Sequence, residues 1–327
     1  MNMSRTFRRL GLALLACVPL AFAPAWAQQA STQTLRMVVP FPPGGGTDVL
    51  ARMLADKLRP LLNENVVIDN RPGATGNIGN DIVAKAPPDG HTVLIQGTII
   101  GMFPHIFAKL PYDPVKDLQA VGTIAESPNV IVVHADSPFK TLQDLVNAAK
   151  ADPARPLNYG TAGVGSPQHL AMEQLASIAG IKVQHITYRG TTPAVNDLLG
   201  QQTQFGAYSL SSMLPFIQGG KLRVLAVMTQ KRTSLLPNAP AMSELGYKGV
   251  DSSIRFAVFV PAGTPADVVN RLAAANDKAL GDAAIRESFV KAGYEVVHAS
   301  PQQTAAMVQR EFNVWGPVVK QLGLKPE

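Results

Sequence analysis

Apolar residues along this chain fall into short β-rich runs separated by stretches that repeat at helical spacing. The runs are Leu35–Val39, Val66–Asp69, Thr92–Ile95, Val130–Val133, Leu157–Tyr159, Val183–Thr187, Leu222–Met228 and Ile254–Val260. Leu142, Leu145, Val146 and Ala149 stand at i, i+3, i+4 and i+7 behind Thr141 and Asp144, the hydroxyl-then-acid spacing of a capping box. Val49 to Leu58 and Val268 to Leu280 carry the same helical period. Strands alternating with helices predict an α/β protein, with parallel sheets covered by helices on both faces. A weak internal echo links Val130–Val133 and its following helix to Ala257–Val260 and the helix after Gly263-Thr264-Pro265. If each copy follows a crossing of the chain, one domain comprises residues 28–125 and 255–327, and the second, 126–254, is inserted between them.

Length and charge refine this picture. At 327 residues, 46% hydrophobic and 16% charged, the chain is ordered and long enough for two domains. A net charge of +6 suggests an anionic partner, but part of it sits in a removable segment. Arg5, Arg8 and Arg9 precede an uncharged run from Leu10 to Ala23, and Ala25-Trp26-Ala27 supplies a small-x-small cleavage pattern. The run is too short to span a bilayer. Residues 1–27 therefore read as a cleaved export signal with the periplasm as destination. Cleavage takes the charge from +6 to +3 and removes Cys17, the one cysteine. Disulfides and thiol chemistry are then excluded.

The loops after the strands carry the candidate chemistry. Phe41-Pro-Pro-Gly-Gly45-Gly46-Thr47-Asp48 follows the first strand, Gln96-Gly97-Thr98 the third, and Gly160-Thr161-Ala-Gly163-Val-Gly165-Ser166-Pro167 the fifth. Tyr188-Arg189-Gly190-Thr191-Thr192-Pro193 follows the sixth. In a doubly wound domain such loops gather at the carboxyl ends of the strands, where ligands bind. Glycines admit a ligand close to the backbone, and helix starts offer unpaired N–H groups at a positive dipole end. With one cation among these loops, Arg189, the set suits a small carboxylate held by neutral donors. Asp48 is either a ligand contact or a helix cap. Tyr188 and Tyr208 either face the cleft or pack. Arg255, in an apolar strand, must meet an anion, from a ligand or from a structural carboxylate.

Other chemistries find little support. Gly73-Ala-Thr-Gly76-Asn-Ile-Gly79 is not a dinucleotide fingerprint, no Gly-Lys-Ser/Thr follows Gly44–Gly46, and Ser166 lacks the GxSxG setting. His169 and Glu173 share a helix face without a third ligand, so no metal or other cofactor is expected. Nucleic acid is excluded by the lack of a basic patch interleaved with aromatics.

Pro40-Phe-Pro-Pro-Gly-Gly-Gly-Thr-Asp-Val-Leu-Ala-Arg52 resembles the opening signature of the Bug family, the periplasmic solute receptors of tripartite tricarboxylate transporters. Asp69–Gly79, Ala84–Gly90, Tyr188–Gly190, Gly220–Val227 and Pro261–Pro265 extend the resemblance over nearly the whole mature chain. It implies a two-domain Venus-flytrap of the type II periplasmic class with doubly wound mixed sheets, binding a carboxylate between its domains and acting as a receptor, not an enzyme. Phe41, Gly45, Gly46, Thr47, Asp48 and Thr98 would form one wall; Thr161, Gly163, Ser166, Tyr188 and Gly190 the other. The family often has an acid within the stretch Gln204–Tyr208 and an aromatic where Arg255 stands. That departure favours a ligand with a second carboxylate over an amino acid. The implied partners are membrane permease subunits or a sensor kinase, with the receptor itself a monomer. A secreted hydrolase using Ser166 is the alternative in another class.

Overall fold

The first half of the chain alternates strand and helix: β1 (Thr34–Val39), α1 (Gly46–Leu62), β2 (Asn65–Asn70), α2 (Asn77–Ala84), β3 (Thr92–Gly97) and the short α3 (Phe103–Ile106). A long strand, β4 (Leu118–His134), leads to α4 (Leu142–Ala151), β5 (Leu157–Gly160), α5 (Pro167–Ala179), β6 (Val183–Ile186) and α6 (Thr191–Leu199). Then come β7 (Phe205–Ser209), α7 (Leu210–Gln218), β8 (Leu222–Val227), β9 (Ser253–Pro261), α8 (Ala266–Gly281), α9 (Ala283–Lys291), β10 (Glu295–Ala299) and α10 (Pro301–Gln321). This computed structural model describes residues 33–321, so the export segment read at residues 1–27, Cys17 included, lies outside the described residues. Among the described residues no helix is long and apolar enough to cross a membrane.

The strands form a sheet ordered β2-β1-β3-β9-β4-β7-β5-β6, with β8 and β10 also paired to β4. Its two ends are parallel, β1 with β2 and β3, and β5 with β6 and β7. Its centre is not. β4 runs antiparallel to β9 from Leu118 to Pro128 and antiparallel to β7 and β8 from Asn129 onward. The sheet is thus mixed, as the family resemblance implies, where strand–helix alternation alone suggests parallel pairing. A chain that leaves one half along β4 and returns along β9 must lay those strands head to tail.

Alternation along the strands shows why the sheet is buried on both faces. Leu35, Met37 and Val39 of β1 join Leu50, Leu54 and Leu58 of α1 in one core, while Val38 turns to the opposite face with Phe103, Phe259 and Val308. In the other half, Ile131 and Val133 pack on α4 and α5, and Val130 and Val132 on α6 and α7. Strands covered on both sides read as continuous apolar runs, the signal visible in sequence. The capping box at Thr141 forms as expected: its hydroxyl accepts from the Asp144 N–H, and the Asp144 carboxylate accepts from the Thr141 N–H.

Candidate functional site

The loop Phe41–Gly45 is shaped by one buried carboxylate. Asp48 lies in the first turn of α1 and accepts hydrogen bonds from the Gly44 N–H at 2.9 Å, Arg52 Nε at 2.9 Å and Asn70 Nδ2 at 2.9 Å. Burial alone would raise its pKa, but these donors outweigh burial and hold it below the usual carboxylate value. Asp48 is therefore a scaffold for the loop and does not line the cavity the loop borders. At Gly46 a side chain has no room: a Cβ would stand 2.8 Å from Ser211 Oγ and 2.9 Å from Ser212 Oγ. Glycine there lets the start of α1 abut the start of α7.

A second scaffold holds the loop after β5. Thr161 is fully buried; its hydroxyl meets His185 Nε2 at 2.8 Å and the Gly163 carbonyl at 3.1 Å, and accepts from the Gly163 N–H at 3.2 Å. His169 accepts from the Gly165 N–H through Nδ1 and stacks on His185, ring centroids 4.1 Å apart. Burial pushes both imidazoles down, to about 4 for His169 and about 3 for His185, so both are neutral at pH 7. Ser166 caps α5 by accepting from the His169 N–H, with Pro167 as first helical residue, as the sequence suggests. α6 begins two residues earlier than a Thr192 cap with Pro193 as first helical residue would place it, with Gly190 at its N-cap and φ +115°.

Between these loops lies a cavity of about 700 Å³, its open mouth included. The first residues of four helices line it: Gly46 of α1, Pro167 of α5, Thr191 of α6, and Ser209, which precedes α7. Hydroxyls and amides of Thr47, Thr75, Gln96, Ser166, Gln168 and Ser212 add polar groups, and Phe41, Phe103 and Phe256 add apolar walls. None of the described lining residues is charged. The walls meet across the cleft, where the Thr75 hydroxyl donates to the Val164 carbonyl at 3.4 Å. Thr75 and Ala74 both hold left-handed backbone, φ 55° and 47°, a strained pair of the kind kept at functional sites.

Of the residues expected at the site, Phe41, Gly45, Gly46, Thr47 and Ser166 line the cavity. Asp48, Thr98, Thr161, Gly163, Tyr188, Gly190 and Tyr208 do not. Thr98 is buried behind its lining neighbours Gln96 and Ile99. Gly163 and Gly190 shape the rim; a Cβ on Gly190 would touch Pro42 of the facing loop at 3.4 Å. The Tyr188 hydroxyl donates to Asp197 at 2.7 Å, and burial together with that carboxylate pushes its pKa up to about 12. Tyr208 is a fully buried core residue. Arg255 turns away from the cavity and pairs with Glu126, directly opposite it on β4, at 3.2 Å. Its anion is structural, and β4 supplies it.

Sequence reasoning missed the polar lining residues Thr75, Gln96, Gln168, Ser209 and Ser212 and the apolar walls Ile99, Phe103, Ile254 and Phe256. Gln96 and Gln168 sit within or beside the loops singled out, so their amides were in view but not weighed. Ser209 ends β7 and Ser212 lies in the first turn of α7; Gly206 and Ala207 dilute the apolar run of that strand, so it was not read from the sequence.

Residues 50–324 match the tripartite tricarboxylate transporter family receptor. The chain belongs to that family. BugT of Bordetella pertussis is 34% identical over 329 residues, covering 99% of each chain. The structure of the periplasmic binding protein BugD superposes with a TM-score of 0.85 at 33% identity, covering 90% of this chain and 99% of that one. R. palustris Rpa4515, solved with adipate, gives 0.87 at 33% identity, covering 91% and 99%. The protein is thus a solute-binding receptor of the Bug type, akin to periplasmic binding proteins and not an enzyme, and the hydrolase alternative is set aside.

Proposed function

We propose that this Bug-type receptor captures a small di- or tricarboxylate, or a related organic acid, between its walls and delivers it to the membrane permease of a tripartite tricarboxylate transporter. One observation carries the reading: four helix starts converge on a cavity with no charged side chain. Unpaired N–H groups and positive dipole ends favour an anion there, and exclusion of water strengthens each neutral contact. The adipate in Rpa4515 supports a carboxylate as the ligand class. Phe41, Gly45, Gly46, Thr47 and Ser166 would contact the ligand directly, with Asp48, Thr161, Gly163 and Gly190 holding the loops. Export through the segment 1–27, cleaved after Ala27, would place the receptor, as a monomer, in the periplasm.

A thermal-shift panel of malate, succinate, adipate, citrate and tricarballylate tests this. A ligand at 100 times its Kd adds about 2.7 kcal/mol of stability and raises Tm by several degrees. No shift with any acid, and no acid released from the denatured protein by mass spectrometry, would refute the proposal.

A further inference from the structure

Gln168, the second residue of α5, is 2% exposed and lines the cavity. Its amide ends a chain of hydrogen bonds that begins at a backbone carbonyl. The Ser252 hydroxyl donates to the Pro167 carbonyl at 3.3 Å, Asn129 Nδ2 donates to Ser252 Oγ at 2.8 Å, and Gln168 Nε2 donates to Asn129 Oδ1 at 2.8 Å. A carbonyl can only accept, so the chain has one direction, and each amide along it is oriented by the one before. At its end Gln168 Oε1 is left buried without a donor. Among the described residues it is the one such orphaned side-chain atom that belongs to the cavity wall. The other buried amide of the wall is satisfied at both ends: Gln96 Nε2 donates to Asn80 Oδ1 and Gln96 Oε1 accepts from the Gly97 N–H.

A buried acceptor without a donor is costly, and a carboxylate, having only acceptors, cannot supply one. A ligand O–H or N–H can supply the missing donor. An ammonium would be buried with no carboxylate among the described residues of the wall to balance it. A hydroxyl carries no such cost.

Resting on the carboxylate-receptor reading above, we propose that Gln168 is a specificity-determining residue that accepts a hydrogen bond from a ligand hydroxyl, so the receptor prefers hydroxycarboxylates to their unsubstituted counterparts. The Asn129–Ser252 pair acts through it, as the positioning group that engages the amide nitrogen and leaves the oxygen free to accept.

Calorimetry on the purified protein with two matched pairs, malate against succinate and citrate against tricarballylate, provides the test, with aspartate as the ammonium control. In whichever pair binds, the hydroxy acid is expected to be tighter by about tenfold or more. Gln168→Met keeps the length and apolar bulk of the side chain; it should bring the two members of the pair to within about twofold, chiefly by weakening the hydroxy acid. Ser252→Ala, which removes the group that sets the direction of the chain, should shift preference toward the unsubstituted acid even if the Met variant fails to fold. Equal affinities within a pair for the wild type, a ratio unchanged in Gln168→Met, or aspartate binding as tight as malate would each overturn the proposal. So would adipate binding with no response to either pair, which leaves the receptor reading standing; silence toward every carboxylate ends both.

Discussion

His169 and His185 show how single residues under a binding loop set its tolerance to acid. Each is held neutral by burial, with pKa values near 4 and 3 in place of the ordinary 6.5. Below pH 6.5 the unfolded chain takes up protons that the folded one refuses, so stability falls with pH. The loss continues until the native imidazoles protonate, at about pH 4 and 3. Each proton contributes a slope of up to about 1.4 kcal/mol per pH unit. His185→Phe keeps the ring stack on His169 and removes one of these protons; chemical denaturation between pH 6.5 and 4 should show a shallower acid slope than in the wild type. An identical slope would mean that His185 does not titrate as its burial demands. Arg255 teaches a different lesson. Its presence in an apolar strand demanded an anion, and sequence could not say whether a ligand or Glu126 would meet that demand, because the β4–β9 register is a tertiary fact.

At the scale of elements, α1 joins the core to the cavity. Leu50, Leu54 and Leu58 anchor one face of the helix, while its first turn presents Gly46 and Thr47 to the cavity. Asp48 ties the two together through Gly44, Arg52 and Asn70. Asp48→Asn leaves buried donors partly unmatched, so it should destabilise the protein by about 1–3 kcal/mol in urea unfolding. It should also weaken carboxylate binding through the displaced loop, although Asp48 does not line the cavity. Unchanged affinity would show that the loop keeps its shape without it. Strands covered on both faces, such as β1, β3 and β9, were legible as apolar runs, and so were the partly exposed β2 and β6 through their β-branched residues. The first half of β4 was hidden because Gly122, Glu126, Ser127 and Pro128 interrupt its apolar run, and its register with β9 shifts between Ala120 and Gly122 and again between Thr123 and Ala125. β7 was hidden because Gly206 and Ala207 dilute its apolar run, and β10 because Glu295 and His298 leave it few apolar positions. Their apolar patterns are weak because neighbouring strands, not their own side chains, define them.

For the whole molecule, the β4 and β9 crossing is the feature with mechanical consequence. Glu126, Ser127 and Pro128 on β4 face Arg255, Ile254 and Ser253 on β9, and beyond this point β4 pairs only with the other half of the sheet. We propose that residues 28–125 with 255–327 and residues 126–254 move as two lobes about this crossing. A ligand that touches both walls only when they are closed shifts that equilibrium toward the closed form. Small-angle scattering should then show a smaller radius of gyration with saturating ligand than without it. An unchanged radius would argue for a rigid, preformed site.

The sequence by itself determined the class of the fold, the loops that border the cavity and the family. Apolar period, caps and glycine-rich turns are local properties, written within a few residues of where they act. Which side chains of those loops reach the cavity was decided only by tertiary structure. Asp48, Thr161 and Tyr188 have the right chemistry at the right place in the chain, yet they bond to Asn70, His185 and Asp197 and do not line the cavity. Gln168 carries no signal of its own in the sequence; Asn129 and Ser252, distant along the chain, fix the direction of its amide. Orientation of a buried polar group depends on what it packs against, and the sequence does not record that neighbourhood.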